Sequence, residues 1–338
     1  MIEYDDNGNI LGDNEAMFTT SPLSKYMGKN VDANDFFEEA LTEKPVYNPQ
    51  PQRFKDPEAN AAMPQFNTMV LKDLENLPDP EWIVAGYIPA DGMTTIFGAP
   101  GSTKSFFALY MAFCIASGAK FFDAEVKTGK VLYVVGEGLR GMKWRIEALK
   151  LAHPEADMEA LDQNLIILPK AVMLLDKMES TMLANTAMQI AEEENLRCFI
   201  IDTWARSLTG GDENSAQDVG NAIQLCETIR TKTGASPIII HHTGADGQRE
   251  RGSTALRGAT DTTIQMNHRE AEKTIEVICK KMKDGEPFQN LDLELKQYGH
   301  SVVLTKKETI PFTFGYKPEV RDKQYWVNKA KAEKEAPF

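Results

Sequence analysis

Long apolar runs are missing from this chain of 338 residues. No stretch reaches the roughly 20 apolar residues that a membrane helix needs, so no span is expected. The opening MIEYDDNGNI has neither a basic region nor an apolar core, so a secretion signal is not expected either. Cysteine is scarce. Cys114, Cys198, Cys226 and Cys279 lie far apart, no pair has metal-ligand spacing, and a disulfide framework is not expected. A reducing cytoplasm is the compartment these absences fit. Positive charge is also short, with 37 Lys and Arg against 50 Asp and Glu. The net charge of −13 argues against a protein that coats nucleic acid without specificity.

The charge is uneven. Residues 1–80 hold 15 acidic and 6 basic residues, a net −9, which leaves −4 for the rest and room there for a local basic channel. Residues 1–78 also lack sustained apolar periodicity. Pro45, Pro49, Pro51, Pro57 and Pro64 oppose regular structure. This segment reads as an acidic, largely irregular arm suited to recruiting a partner, with one short helix at Asp32–Leu41. Residues 79–310 read as one compact domain, and 311–338 as a charged tail.

Within that domain, short apolar strands alternate with helical segments. MTTIFG, KVLYVVGEG, NLIILP, LRCFIIDT and SPIIIHHTG are strands. SFFALYMAFCIAS, LRGMKWRIEALKLA, STMLANTAMQIAEEEN and SAQDVGNAIQLCETIRTKTG are helices. Continuous apolar strands between helices call for a mostly parallel sheet covered on both faces, an α/β class of fold. After Asp261 the pattern changes to alternating strands joined by short polar turns, which predicts antiparallel strands along one edge.

Four features carry chemistry. The first is GAPGSTKS, comprising Gly98, Ala99, Pro100, Gly101, Ser102, Thr103, Lys104 and Ser105, where a strand meets a buried helix. Backbone N–H groups there wrap a phosphate chain, Lys104 reaches the terminal phosphates, and the Ser105 hydroxyl suits magnesium. The pattern G-x-x-x-x-G-K-[ST] has Thr103 where its last glycine belongs. The added Cβ would crowd the loop or alter its backbone angles. A loop that binds nucleotide without efficient hydrolysis is the competing reading.

The second is Asp202, ending an apolar strand, as a magnesium partner of Ser105; a capping aspartate is the bland alternative. The third is Glu137 in GEG. If its strand lies beside the phosphate-loop strand, it faces the γ-phosphate and polarises an attacking water; a surface glutamate is the alternative. The fourth is His241–His242. Consecutive residues on a strand point to opposite sides, which disfavours a shared zinc. His242 is the better candidate for sensing the γ-phosphate, with His241 packing.

Two polar loops, Trp204–Asp218 and Thr243–Asp261, follow strand ends where ligands bind in such sheets. The second carries Arg249, Arg251 and Arg257, suited to DNA phosphates or to a neighbour's nucleotide. Lys281 and Lys283 share one strand face and are candidates to reach an ATP bound next door. Solvated loops and a solvated edge strand are the alternatives.

Together WIVAGYIPADGMTTIFGAPGSTKS, VLYVVGEGLRGMKWRIEA, FIIDTWARSLTGGDENSAQD, IIIHHTG and RGSTALRGATD resemble the RecA-like P-loop ATPases of the plasmid and phage RepA replicative helicase type, within the hexameric DNA helicases. The resemblance covers about residues 79–305. GEG-x-x-G-x-x-x-R and DT-x-A-R with GGDEN are its more specific parts.

The resemblance implies a magnesium-dependent ATPase, a homo-oligomer in the form of a hexameric ring, moving on single-stranded DNA in the cytoplasm of a bacterial host. It implies water activation by Glu137, phosphate contacts by Lys104 and Ser105, metal support by Asp202 and a sensor role for His242. The relatives' trans Lys-x-Arg pair is Lys281-Met282-Lys283 here, a change that loses the guanidinium fork, with Arg257 as second candidate. A filament-forming RecA-like recombination ATPase and a nucleotide-gated scaffold are the rival functions. No zinc-binding cysteine cluster of the helicase-primase kind precedes the ATPase region.

Overall fold

The computed structural model describes residues 70–76, 79–193, 195–244, 247 and 249–307. Two units divide the chain, Met1–Asn76 and Leu77–Phe338. Of the first, the described part is a short helix, α1 (Leu71–Glu75), at the end of the segment read as largely irregular. The helix predicted at Asp32–Leu41 and the tail after residue 310 lie outside the described residues.

The second unit opens with a small antiparallel pair, β1 (Trp82–Val84) and β2 (Ile88–Pro89). β3 (Thr94–Gly98) then leads into α2 (Lys104–Ser117). Alternation continues through β4 (Lys130–Val135), α3 (Leu139–Ala152), α4 (Met158–Asn164), β5 (Leu165–Leu168), α5 (Lys177–Glu193) and β6 (Leu196–Asp202). α6 (Trp204–Ser207), α7 (Ala216–Thr233), β7 (Ser236–His242) and α8 (Thr254–Ala259) follow. The last strands are β8 (Thr262–Arg269), β9 (Thr274–Met282), β10 (Leu291–Tyr298) and β11 (Ser301–Lys306).

Among the described residues these form a nine-stranded sheet, ordered β11-β10-β9-β8-β3-β7-β6-β4-β5. The strands from β8 to β5 in that order run parallel. The last three strands in sequence extend the β8 edge in antiparallel fashion, as expected. This is the topology of a RecA-like P-loop core.

The burial pattern explains the two layers. α2 is apolar all round and buried at every position from Phe107 to Ser117, which a helix tolerates only when it is enclosed. It belongs to the core on one face, with Tyr133, Met142 and Leu149. α5 and α7 contribute to the core on the other face with Phe199, Ile201 and Trp204. Burying one such aromatic side chain stabilises by about 1.5–3 kcal/mol. α7 begins at Ser215, whose hydroxyl accepts the Asp218 N–H, and ends at Gly234 in the left-handed region.

The strand order corrects one expectation. β4 does not lie beside β3, because β7 and β6 stand between them. The chain steps outward through α2 to β4 and β5. It then returns through α5 and α7 on the opposite face and fills the gap, as right-handed crossovers require. Glu137 therefore follows the neighbour of the Asp202 strand, with Val135 paired to Asp202, rather than the neighbour of the phosphate-loop strand.

Among the described residues no helix is long and apolar enough to cross a membrane.

Candidate nucleotide site

The loop between β3 and α2 is shaped by close approach. A Cβ on Gly98 would lie 2.3 Å from the Met266 carbonyl oxygen and 2.5 Å from Ser102 Oγ, so only glycine fits there. Thr103, the departure from the usual pattern, takes φ 64° and ψ 20°, left-handed values that a glycine adopts freely. The backbone path is thus kept at the expense of strain, about 1–2 kcal/mol for a residue with a Cβ. The Thr103 hydroxyl donates to the Ser102 carbonyl at 2.7 Å.

Lys104 is 5% exposed. Its ammonium donates to the carbonyl oxygens of Gly98 and Ala99, each at 2.9 Å, and approaches Ser102 Oγ at 3.4 Å. Burial pulls its pKa down to about 8, against the opposing pull of Asp202 and Glu137. Ser105 Oγ donates to Asp202 Oδ1 at 3.1 Å, and Tyr133 Oη donates to Asp202 Oδ2 at 2.8 Å. Asp202 is 3% exposed, and burial raises its pKa against those two hydrogen bonds. Burial, reinforced by Asp202, raises the Tyr133 phenol well above its ordinary value, so it stays a donor. The Asp202–Thr203 peptide is cis.

Glu137 lies just past β4. Its carboxylate accepts from Arg206 Nε at 2.8 Å, and the two side chains are about half exposed. Both Lys104 and Asp202 feel its charge. His242 also feels the charges of Lys104 and Glu137, and burial comes first among the causes that lower its pKa. His241 is 1% exposed; its Nε2 meets the Arg251 carbonyl at 2.8 Å, and burial brings its pKa down to about 4. Ser105 and Asp202 are therefore in direct contact, and Lys104 feels the charges of Asp202 and Glu137, as His242 feels those of Lys104 and Glu137.

The arginines lie nearby. Arg249, Arg251 and Arg257 line a pocket of about 370 Å³ together with one acidic residue, Glu250, and with Gly244, Gly252, Ser253 and Thr254. Ser253 caps α8, its hydroxyl accepting the Ala255 N–H at 3.2 Å. Lys281 and Lys283 are elsewhere. β9 runs antiparallel, so its end pairs with the start of β8. Lys281 Nζ donates to the carbonyls of Thr260 and Arg257, and Lys283 pairs with Asp261 at 3.1 Å. Asp261 in turn accepts the Met93 N–H just before β3. Four residue steps of β3, about 13 Å at 3.3 Å each, separate that end of the sheet from the phosphate loop. These lysines do not belong to their own chain's loop.

Several residues that shape the site were not among the sequence candidates. Tyr133 is one; the only hydroxyl-bearing side chain inside LYVV was the available signal. Arg206 is another, present within DT-x-A-R but not singled out. Arg145 is a third. Its guanidinium covers the Phe106 ring at 4.4 Å and its charge reaches Asp202.

The residues fit a nucleotide and a magnesium ion. A glycine cradle only glycine can form, a buried lysine aimed at that cradle, and a hydroxyl paired with a carboxylate supply donors for phosphate and oxygens for a hard cation.

The family model of the AAA domain matches residues 59–248, more than half of the chain, including the phosphate loop, Glu137, Asp202 and both histidines. No curated protein matches the chain. The protein carries an AAA-type ATPase domain and belongs to the AAA domain family.

Proposed function

We propose that the protein is a magnesium-dependent motor ATPase acting on single-stranded DNA, of the replicative helicase type, and that it works as a ring of identical subunits. The observation that carries this reading is the arginine-lined pocket of Arg249, Arg251 and Arg257, built on the loop that leaves β7 directly after His242. A polymer phosphate held there lies one loop away from the γ-phosphate side of the site. The position of Lys281 and Lys283 at the other end of the sheet supports the ring. In a head-to-tail assembly they face the neighbour's phosphate loop. In the same reading, residues 1–78 form an arm that recruits a replication partner, 79–310 the motor, and 311–338 a tail.

Lys104 and the loop N–H groups hold the phosphates of ATP, and Ser105 with Asp202 holds the magnesium ion. Bound magnesium neutralises charge on the phosphate oxygens. Tyr133 fixes the Asp202 carboxylate through its hydroxyl. Glu137 accepts the proton of the attacking water, and the N–H of neutral His242 donates a hydrogen bond to the terminal phosphate. Arg257, Lys281 or Lys283 supplies positive charge across the subunit boundary.

Turnover of ATP with and without single-stranded DNA tests the reading. DNA raises turnover if it holds, and unchanged turnover at low salt with both DNA and RNA refutes it.

A further inference from the structure

The arginine pocket contains one group that a site for phosphate alone would not carry. Glu250 lines it, between Arg249 and Arg251 in the chain. The backbone that presents Glu250 is held on several sides. Thr243 bridges to Glu250 in antiparallel fashion, the Gly244 N–H donates to the Arg249 carbonyl at 2.9 Å, and the Arg251 N–H donates to the His242 carbonyl at 2.9 Å. Two sheet side chains add to this. His241 Nε2 meets the Arg251 carbonyl at 2.8 Å, and Gln265 Nε2 donates to the Gly247 carbonyl at 3.0 Å. The Ser253 N–H donates to the Glu213 carbonyl at 2.8 Å. Glu250 is therefore offered to the pocket from a fixed position.

The charges on the pocket wall are not matched to one another. Arg251 is committed to Glu213, with its Nε 2.5 Å from Oε1 and its Nη2 donating to Oε2 at 3.0 Å. Arg257 is exposed, and among the described residues its guanidinium meets no partner. Glu250 is partly buried. Its Oε1 is buried with no hydrogen-bond partner, and among the described residues no cation pairs with its carboxylate. A carboxylate oxygen out of water without a donor is costly, and a carboxylate repels phosphate. One cavity thus carries a guanidinium and a carboxylate that do not satisfy each other. A ligand that brings an anion and an N–H donor together satisfies both. A nucleotide unit is such a ligand, with its phosphate on Arg257 and its base on Glu250.

We propose that Glu250 reads the bases of the strand and gives the pocket a preference for cytosine over thymine. Cytosine presents its exocyclic N4 amine, the donor that a carboxylate accepts from in base recognition. Thymine has a single N–H, at N3, and it lies between two carbonyl oxygens that the carboxylate repels. The two pyrimidines are alike in size, so the difference between them falls on this contact. Glu250 is a specificity-determining residue. The inference rests on the reading that the arginine pocket binds single-stranded DNA.

Equilibrium binding of two labelled probes, an oligodeoxycytidine and an oligodeoxythymidine of one length, tests this with the full-length protein, magnesium and ATP at pH 8. The parent binds the cytidine polymer about five- to tenfold more tightly, the order expected of one hydrogen bond to a charged acceptor. Both polymers lose affinity with salt at the same log–log slope, because they offer the same phosphates, so the preference persists as salt rises. Glu250→Ala brings the ratio close to one by weakening the cytidine polymer. Glu250→Gln keeps the shape of the side chain and adds an amide donor that a thymine carbonyl accepts, so the ratio falls there too.

A parent that binds both polymers equally overturns the base contact and leaves the DNA reading standing. A preference that survives in Glu250→Gln also overturns it, and this isosteric variant decides the matter if Glu250→Ala fails to fold. Loss of the oligomer in Glu250→Gln, with the parent binding both polymers alike, shows that the carboxylate serves a neighbour's cation instead. A parent that binds neither polymer refutes the DNA reading and the inference with it.

Discussion

The groups that would hold phosphate and those that would act on water live in different surroundings. Lys104 and Asp202 are 5% and 3% exposed and are fixed by hydrogen bonds to the loop, to Ser105 and to Tyr133. Glu137, Arg206 and Arg251 are partly exposed, and the described contacts of their side chains are ion pairs. Buried, hydrogen-bonded groups stay where they are, whereas exposed ion pairs are worth only about 0.2–1 kcal/mol each and can rearrange. Under the proposed function, nucleotide capture falls to the fixed groups and water activation to the groups free to rearrange. The contrast also locates the influence of Thr103, which strains the fixed region without changing its path.

The sharpest way to break that comparison is Glu137→Gln. ATP binding persists, because Lys104, Ser105 and Asp202 are untouched, and turnover falls about a hundredfold or more. Equilibrium binding beside steady-state turnover checks it, and loss of both together erases the distinction.

Alkaline pH probes the buried region next. The folded pKa of Lys104 is lowered to about 8 from 10.5. The charged lysine is therefore disfavoured in the fold, so its contribution to stability rises as pH climbs from about 8 to 10.5. Bound triphosphate favours the ammonium. ATP affinity is then full below about pH 8 and declines toward tenfold per unit above it. Titrations of nucleotide binding from pH 7 to 9.5 measure this, and a flat profile contradicts the burial argument.

Tyr133→Phe tests how far burial raises the cost of one lost hydrogen bond. Leaving Asp202 Oδ2 without its donor costs about 1–3 kcal/mol, seen as a lower melting temperature, with nucleotide affinity weakened alongside. On the exposed side, Arg249→Ala leaves ATP binding alone. It reduces the salt dependence of single-stranded DNA binding by about 0.7 in the log–log slope. Thr103→Gly has the smallest effect. Relief of left-handed strain, partly offset by glycine's greater freedom when unfolded, nets roughly 0.5 kcal/mol and a melting rise of about 1–2 °C.

The fold was legible because its elements are strongly patterned. The apolar strands from Thr94 to His242 announced a parallel sheet, and the alternation after Asp261 announced its antiparallel edge. The neighbours of each strand were not legible, since a crossover helix fixes handedness and not how many places the chain skips; hence the condition on β4 that the strand order does not meet. Lys104 and Ser105 stood out within the phosphate-loop motif, and Asp202 as the carboxylate that ends an apolar strand. Tyr133 and Glu213 were not. Their partners are 69 residues away for Tyr133 and 38 for Glu213, and no local pattern encodes a contact made across strands or between loops.

The proposed function stands or falls on conditional ATP hydrolysis. The most direct measurement is magnesium-dependent ATP turnover of the full chain at low salt, with and without single-stranded DNA, beside the oligomer mass. Slow turnover alone, several times faster turnover with DNA, and a ring-sized assembly are the expected results. A monomer whose turnover is the same with or without nucleic acid would contradict that function.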